Sequence, residues 1–306
     1  MPFCSSIDNG FVYPNPWTGL STSIFIVMAR VAICARQRRA LSKTLALGWS
    51  QDIYDAILKD MIRHAKEIEN LALEYMTPHR TTIQDLQHDD QMSVLSDLES
   101  MAYTYKLTAL LELYRCFPEL GRSGHAISTS LMVDTSIFAQ STISIPTSDT
   151  LVAIEHQKLI YDMAINLLGQ LRETANRAAL SGLNLAHTLA LLLGGSALVQ
   201  FSCSPQSTHS QGFQAKVTNL LASINRQTHV VEGWRSFVRQ RLRCDAEFVG
   251  LASFSRVEIL LEEVWHRLDD SAEVTANEVK EQESRRKSGM HWLDVMEECR
   301  LETVFG

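Results

Sequence analysis

Between Leu98 and Cys116 the apolar residues recur at intervals of three and four: Leu98, Ala102, Tyr105, Ala109, Leu113 and Cys116. That spacing draws one continuous stripe along a helix of 3.6 residues per turn and scatters over both faces of a strand, so it calls for a core helix. Pro118 and Gly121 follow and end the segment, since proline has no amide donor to carry a helix onward. The same rhythm returns along the chain. Ile154, Tyr161, Ala164, Leu168, Leu171, Ala175 and Ala178 predict a second long helix, entered through Ser148 and Asp149, whose oxygens suit the exposed amides of a first turn. Phe213, Val217, Leu220 and Ile224 predict a third helix, and Val231, Trp234 and Val238 a fourth. Ser255-Arg256-Val257-Glu258 has capping-box spacing and is expected to open a helix carrying Leu261, Val264, Trp265 and Leu268. Thr142 to Pro146 is a short extended candidate, but no series of alternating segments separated by turn dipeptides appears.

The fold class is therefore all-α: one large irregular helical domain over residues 1–306, with two fused helical lobes as the alternative. Residues 1–14 read as an N-terminal tail, and residues 271–290, polar and mixed in charge, as an exposed insertion. Loops are expected at 77–82, 117–125, 143–149 and 202–211. With 306 residues, 45% of them hydrophobic and 21% charged, the chain can bury a large core. The formal charge of −7 argues against a nucleic-acid-coating surface, which needs a basic face to release counterions. Cys4, Cys34, Cys116, Cys203, Cys244 and Cys299 lack the paired short spacings of a metal site or a disulfide framework, so they read as reduced, buried thiols.

Ser23 to Cys34 is apolar, but Arg30 interrupts it and Arg36, Arg38 and Arg39 follow, which suits a buried amphipathic helix and neither a signal peptide nor a membrane span. Leu183 to Phe201 is more hydrophobic, yet it contains Asn184, His187, Thr188, Gly194, Gly195, Ser196 and Gln200. A helix buried on all sides explains it, and no membrane span is expected.

No constellation demands catalysis. Glu263-x-x-His266 has the one-turn spacing of a di-iron ligand pair, but such a site needs a second pair, and Asp85-x-x-His88 sits beside a polar loop without further core glutamates. Glu262 with His266 and Glu263 with Arg267 are more simply surface pairs four residues apart. His88-Asp89-Asp90 has the residue types that hold magnesium and diphosphate in all-α enzymes, but Ser93 and Val94 stand where a further carboxylate would be needed. A solvated helix start, with negative charge opposing the macrodipole, accounts for it. Neither a Gly-x-Ser-x-Gly elbow nor a phosphate loop is present, and Gly121-Arg122-Ser123-Gly124 has the wrong spacing. We expect no catalytic residue, metal or cofactor. An all-α metal-dependent enzyme using Asp89 and Asp90 is the competing class.

Three blocks carry a family resemblance. Asn15-Pro16-Trp17-Thr18-Gly19-Leu20-Ser21 stands near the start. Residues Ala102 to Leu120 end in Leu113-Tyr114-Arg115-Cys116-Phe117-Pro118-Glu119-Leu120. The last sixteen residues, His291 to Gly306, form an acidic amphipathic block in which Trp292, Val295, Met296 and Cys299 share a helical face while Asp294, Glu297, Glu298 and Arg300 stay wet. In this order the three blocks resemble the regulatory domain of fungal-specific transcription factors, the middle-homology-region type that follows a binuclear zinc cluster. The resemblance implies a nuclear regulator, of metabolic or secondary-metabolite genes, that responds to a small molecule or a protein partner. It also implies a module of six clustered cysteines for the major groove. No such cluster occurs here, and the first block begins after only fourteen residues. The expectation is the regulatory half of a longer factor, or a truncated regulator working through a DNA-binding partner or the transcription machinery, as a homo- or heterodimer, without direct DNA binding of its own. The basic clusters Arg36, Arg38, Arg39 and Arg285, Arg286, Lys287 are the candidate phosphate contacts or import determinants. The expected core includes Leu110, Leu113, Tyr114, Trp265, Trp292 and Val295, each worth about 2 to 5 kcal/mol on truncation to Ala if buried. Trp17, Trp49, Trp234, Trp265 and Trp292 are candidates for a core with an apolar ligand cavity.

Overall fold

The computed structural model describes residues 7–8, 11–12, 22–75, 91–121, 148–177, 187–199, 214–249, 252–274 and 291–301. Among them the architecture is all-α. The one extended pairing is a minimal antiparallel contact of β1 (Ile7–Asp8) with β2 (Phe11–Val12), Ile7 facing Val12. The chain divides into two compact units, Met1–Ala178 and Ala179–Gly306.

The first unit holds α1 (Thr22–Ala46), α2 (Gln51–Glu74), α3 (Gln91–Cys116), α4 (Pro118–Gly121) and α5 (Ser148–Arg177). Helix α1 turns into α2 through Gly48, whose positive φ of 86° lets the Trp49 amide reach back to the Thr44 carbonyl at 3.4 Å, a closure that favours glycine. Helix α3 packs against α1, α2 and α5. All six residues of its sequence stripe are buried, and so is every residue from Leu107 to Tyr114. Each fully buried leucine there contributes about 1.5 to 3 kcal/mol through removal from water.

Two polar contacts stand out in this core. Tyr114 donates to the buried Glu69 carboxylate at 2.7 Å, and Lys66 reaches the other oxygen at 2.6 Å. Lys106 closes the C-terminal end of α2, donating to the carbonyls of Leu73 and Tyr75 at 2.9 and 3.1 Å. Those carbonyls would otherwise lack intrahelical donors.

The second unit holds α6 (Thr188–Ser196), α7 (Gln214–Val249), α8 (Ala252–Val274) and α9 (Trp292–Glu298). Helix α6 lies against both α7 and α8, with every residue but Leu189 buried. The expected apolar segment is thus a short core helix. No helix among the described residues is long and apolar enough to cross a membrane.

Several expectations need correction. The third and fourth predicted helices are one helix of 36 residues. No proline separates them, and the exposed Gly233 costs only about 1 kcal/mol. The capping box does not open α8, which begins at Ala252 and already contains Ser255; Ala-Ser-Phe ahead of it offers no breaker. Pro118–Gly121 is a helical turn where a loop was expected, Ser148 and Asp149 already belong to α5, and 271–274 continue α8. The rest of 271–290, residues 1–6, 9–10 and 13–14 of the tail, and the segment 142–146 lie outside the described residues.

Candidate functional site

The first block of candidate cations lies on α1. Arg36 is exposed. Arg38 is half-buried, donates to Glu119 at 3.1 Å and lies 5.6 Å from the Phe117 ring centroid. An arginine held by a carboxylate and an aromatic face is a packing element tying α1 to the α3–α4 corner. Arg39 is half-buried as well, so the expected wet face belongs to Arg36. The second cluster, Arg285, Arg286 and Lys287, lies outside the described residues, as do Asp85, His88, Asp89 and Asp90 and the Asn15–Ser21 block.

The Glu263–His266 pair is split between different partners. Glu263 accepts from Arg267 at 2.6 Å, as expected, while His266 faces Asp270 at 3.2 Å. Glu262 pairs with Arg239, not with His266; a cation on the neighbouring helix outcompetes a histidine on its own. Of the thiols, Cys34 and Cys116 are buried, Cys299 is half-buried and Cys244 is exposed, which corrects the uniform burial expected of them. Burial pushes the Cys34 and Cys116 thiols up, away from thiolate character. Trp265 and Trp292 are buried, Trp234 is half-buried, and Trp49 lies exposed at the α1–α2 turn.

The structure organises unit two around Trp265. Its indole N–H donates to the Gly195 carbonyl at 2.8 Å. The guanidinium groups of Arg235 and Arg239 lie 5.1 and 5.0 Å from its ring. Arg235 is buried and forks onto Asp269 at 2.7 and 2.9 Å, with a further bond to the Leu198 carbonyl at 2.9 Å. This is the bidentate geometry that makes buried arginine tolerable. A methyl group on Gly195 would meet Leu261 Cδ1 at 3.2 Å and Val238 Cγ1 at 3.3 Å, so the glycine lets α6 approach its neighbours closely.

The C-terminal block docks largely as its amphipathic pattern requires: Trp292, Leu293, Val295 and Met296 are buried and Glu297, Glu298 and Arg300 exposed, while Asp294, expected wet, and Cys299, expected on the docked face, are both half-buried. His291 caps α9, its Nδ1 accepting from the Leu293 amide at 3.2 Å. Past the helix the Leu301 amide bonds Met296 at 3.0 Å and the Arg300 amide bonds Glu297 at 3.4 Å. These two bonds form a Schellman closure around Arg300, whose φ is 53° in a position that glycine fills most easily. Arg267 of α8 holds the end, donating to Glu298 and, at 3.2 Å, to the Cys299 sulfur.

A model of the fungal-specific transcription factor domain matches residues 3–148 and 222–306. The chain belongs to that family. All three resembling blocks fall within the matched stretches, and the regulatory-domain fold implied by the resemblance is the all-α fold seen here. No curated protein and no solved structure matches the chain.

One cluster in this family domain was missed at the level of sequence. On α7, Arg241 and Asp245 fall on the buried stripe of Val231, Val238 and Leu242, 3.3 Å apart. Arg241 also acts electrostatically on His187, which precedes α6. Burial pushes the Asp245 carboxyl up to about 6, against the opposing pull of Arg241. Burial, and then the positive charge of Arg241, push His187 down to about 4. The signal was available: Arg241 and Asp245 are in register with the apolar residues of their helix, not opposite them.

Proposed function

We propose that this member of the family is a nuclear regulator of metabolic or secondary-metabolite biosynthetic genes, and that its helical domain works by receiving a small molecule or a protein partner. Membership in the transcription factor family, over residues 3–148 and 222–306, is the observation that carries the reading and points away from an enzyme. The net charge of −7 supports a chain that reaches DNA through a partner, or through a zinc-cluster module, and not through its own surface. Of the basic cluster on α1, Arg38 is committed to Glu119 and Phe117 and Arg39 is half-buried, which leaves little of the cluster for phosphates.

A second reading is a regulator that dimerises with a full-length factor of the same family. The exposed apolar corner of Leu47, Trp49, Ile53 and Ile57 favours it, since side chains of this size grouped at one turn are a common mark of an association surface.

The deciding experiment measures chromatin occupancy of the tagged chain in its native cell, alongside binding of the purified chain to the same DNA. Occupancy without purified-chain binding is expected. Absence from chromatin refutes the transcriptional reading and turns attention to metal and diphosphate assays on Asp89 and Asp90. Self-association of the purified chain that Trp49→Ala and Ile53→Ser abolish is expected for the dimer; a monomer at all concentrations overturns it.

A further inference from the structure

Besides Arg235 Nε, whose guanidinium is already held by Asp269 and Leu198, four polar atoms of the second unit have no hydrogen-bond partner among the described residues: His187 Nε2, Thr188 Oγ1, Arg241 Nη2 and Asp245 Oδ2. His187, Thr188 and Asp245 are each at most 2% exposed. The residues belong to the start of α6 and to the face of α7, two helices that pack together. Arg241 Nη2 faces Asp245 Oδ1 at 3.3 Å, an ion pair without hydrogen-bond geometry; Arg241 also acts on His187, which Thr188 follows at the start of α6. Buried polar groups in folded proteins are nearly always satisfied, and each one left open costs about 1 to 3 kcal/mol. Four together mark a place whose polar groups the described residues leave open to a ligand.

The donor and acceptor inventory narrows what completes it. Arg241 and Thr188 donate, and neutral His187 offers Nε2–H in one tautomer. Only Asp245 brings a carboxylate. Five acids of α8 are committed elsewhere: Glu258 to Arg243, Glu262 to Arg239, Glu263 to Arg267, Asp269 to Arg235 and Asp270 to His266. A set of donors around one guanidinium calls for an acceptor, and the planar fork of arginine fits a carboxylate. The resident Asp245 disfavours a dianion, which would set two negative charges against it. A monocarboxylate meets this differently: Asp245 takes a proton from solvent and donates it in a carboxyl–carboxylate hydrogen bond. Burial already holds the Asp245 carboxyl up at about 6, so a proton is readily taken up there at pH 6.

We propose that His187, Thr188, Arg241 and Asp245 form an effector site for a small monocarboxylate, Arg241 and Thr188 donating to its oxygens and Asp245 sharing a proton with it. This rests on the reading of the domain as an effector receiver and gives that effector a chemical class.

Titration calorimetry of the whole chain at pH 6 with sodium propionate, against sodium chloride at equal ionic strength, tests it. Saturable propionate binding is expected, with inorganic phosphate weaker. Asp245→Asn removes the competing charge and is expected to tighten binding about tenfold. Thr188→Val removes one charge-assisted bond and is expected to weaken it about tenfold. Arg241→Gln should abolish it; if that variant does not fold, the opposite shifts of the other two decide. Propionate indistinguishable from chloride, phosphate binding as tightly as propionate, or Asp245→Asn without a gain each overturn the site. None of these outcomes depends on chromatin occupancy, so this proposal and the transcriptional reading fail separately.

Discussion

Replacing Asp245 by Asn should stabilise the chain at neutral pH, although it removes one half of a buried ion pair. The carboxyl sits at about 6 in the fold against 3.8 in an ordinary setting, and that gap corresponds to about 3 kcal/mol. The sign follows from proton counts. Because the folded pKa is raised, the native state holds its proton more tightly than the unfolded chain, so ionisation works against the fold. The penalty is fully present above about pH 6, recedes as pH falls toward 3.8, and is absent below it. Asparagine resembles the protonated carboxyl, so the variant should gain about 3 kcal/mol at pH 7.5 and nothing near pH 3.5. His187, lowered from 6.5 to about 4, acts in the opposite sense: it costs the fold nothing above pH 6.5, and its penalty builds as pH falls from 6.5 to 4 and is fully present below. The two nearly cancel in the native chain between pH 4 and 6. His187→Gln should therefore be neutral at pH 7.5 and stabilising by about 3 kcal/mol near pH 4. Urea unfolding followed by tryptophan fluorescence, repeated across pH 3.5 to 7.5, gives both difference curves. Destabilisation by Asp245→Asn at pH 7.5 would refute the reasoning, because it would mean that attraction to Arg241 outweighs desolvation.

Tyr114→Phe withdraws the donor at 2.7 Å from the buried Glu69 carboxylate and should cost about 1.5 to 3 kcal/mol in urea unfolding; a loss under 0.5 kcal/mol would show that Lys66 alone satisfies the acid. Trp265→Phe keeps an aromatic ring beneath Arg235 and Arg239 but strands the Gly195 carbonyl, so a loss of about 1 to 3 kcal/mol is expected. An unchanged midpoint would mean that this bond is dispensable. Arg300→Gly relieves a left-handed residue at φ 53° and should raise the thermal midpoint, by about 1 kcal/mol in stability at most. A fall would point to a contact of the arginine side chain that outweighs backbone strain.

The helices were legible where the apolar spacing repeats, and α3 is the clearest instance. Its stripe from Leu98 to Cys116 is buried as the spacing requires. The burial of Thr104, Thr108 and Glu112 beside it was not legible, because a polar residue in a helix reads as wet until its partner helices are known. Boundaries were less legible than faces. The single helix α7 was divided in two because its apolar residues thin out between Ile224 and Val231, although nothing there breaks a helix. Helix α8 was started late because a capping-box spacing has the same form whether it stands at a helix start or inside its first turn. The docked face of the C-terminal block is legible because its short helix cannot stand alone: a seven-residue segment has no stability of its own, so its apolar side has to dock.

The candidate sites fared differently for one physical reason. Arg38 and Arg36 are two residues apart on α1, which turns them about 200° from each other. Only three-dimensional context makes one a packing element and leaves the other in solvent. Charge runs suggest phosphate contacts because they are counted along the chain, yet a helix distributes neighbouring charges around its circumference. The converse applies to Arg235, Arg241 and Asp245, which sit singly among apolar residues in a stripe and so attract no attention as a cluster. A charged residue in register with a buried stripe must find a partner inside the core or leave a site open. Arg235 finds Asp269, Leu198 and Trp265. Among the described residues Arg241 finds only the imperfect partner four residues on, and the groups around it remain short of acceptors. Reading charges by helical phase, and not by proximity in sequence, separates these two arginines from the solvated ones and points to the part of the second unit where a ligand has chemistry to complete.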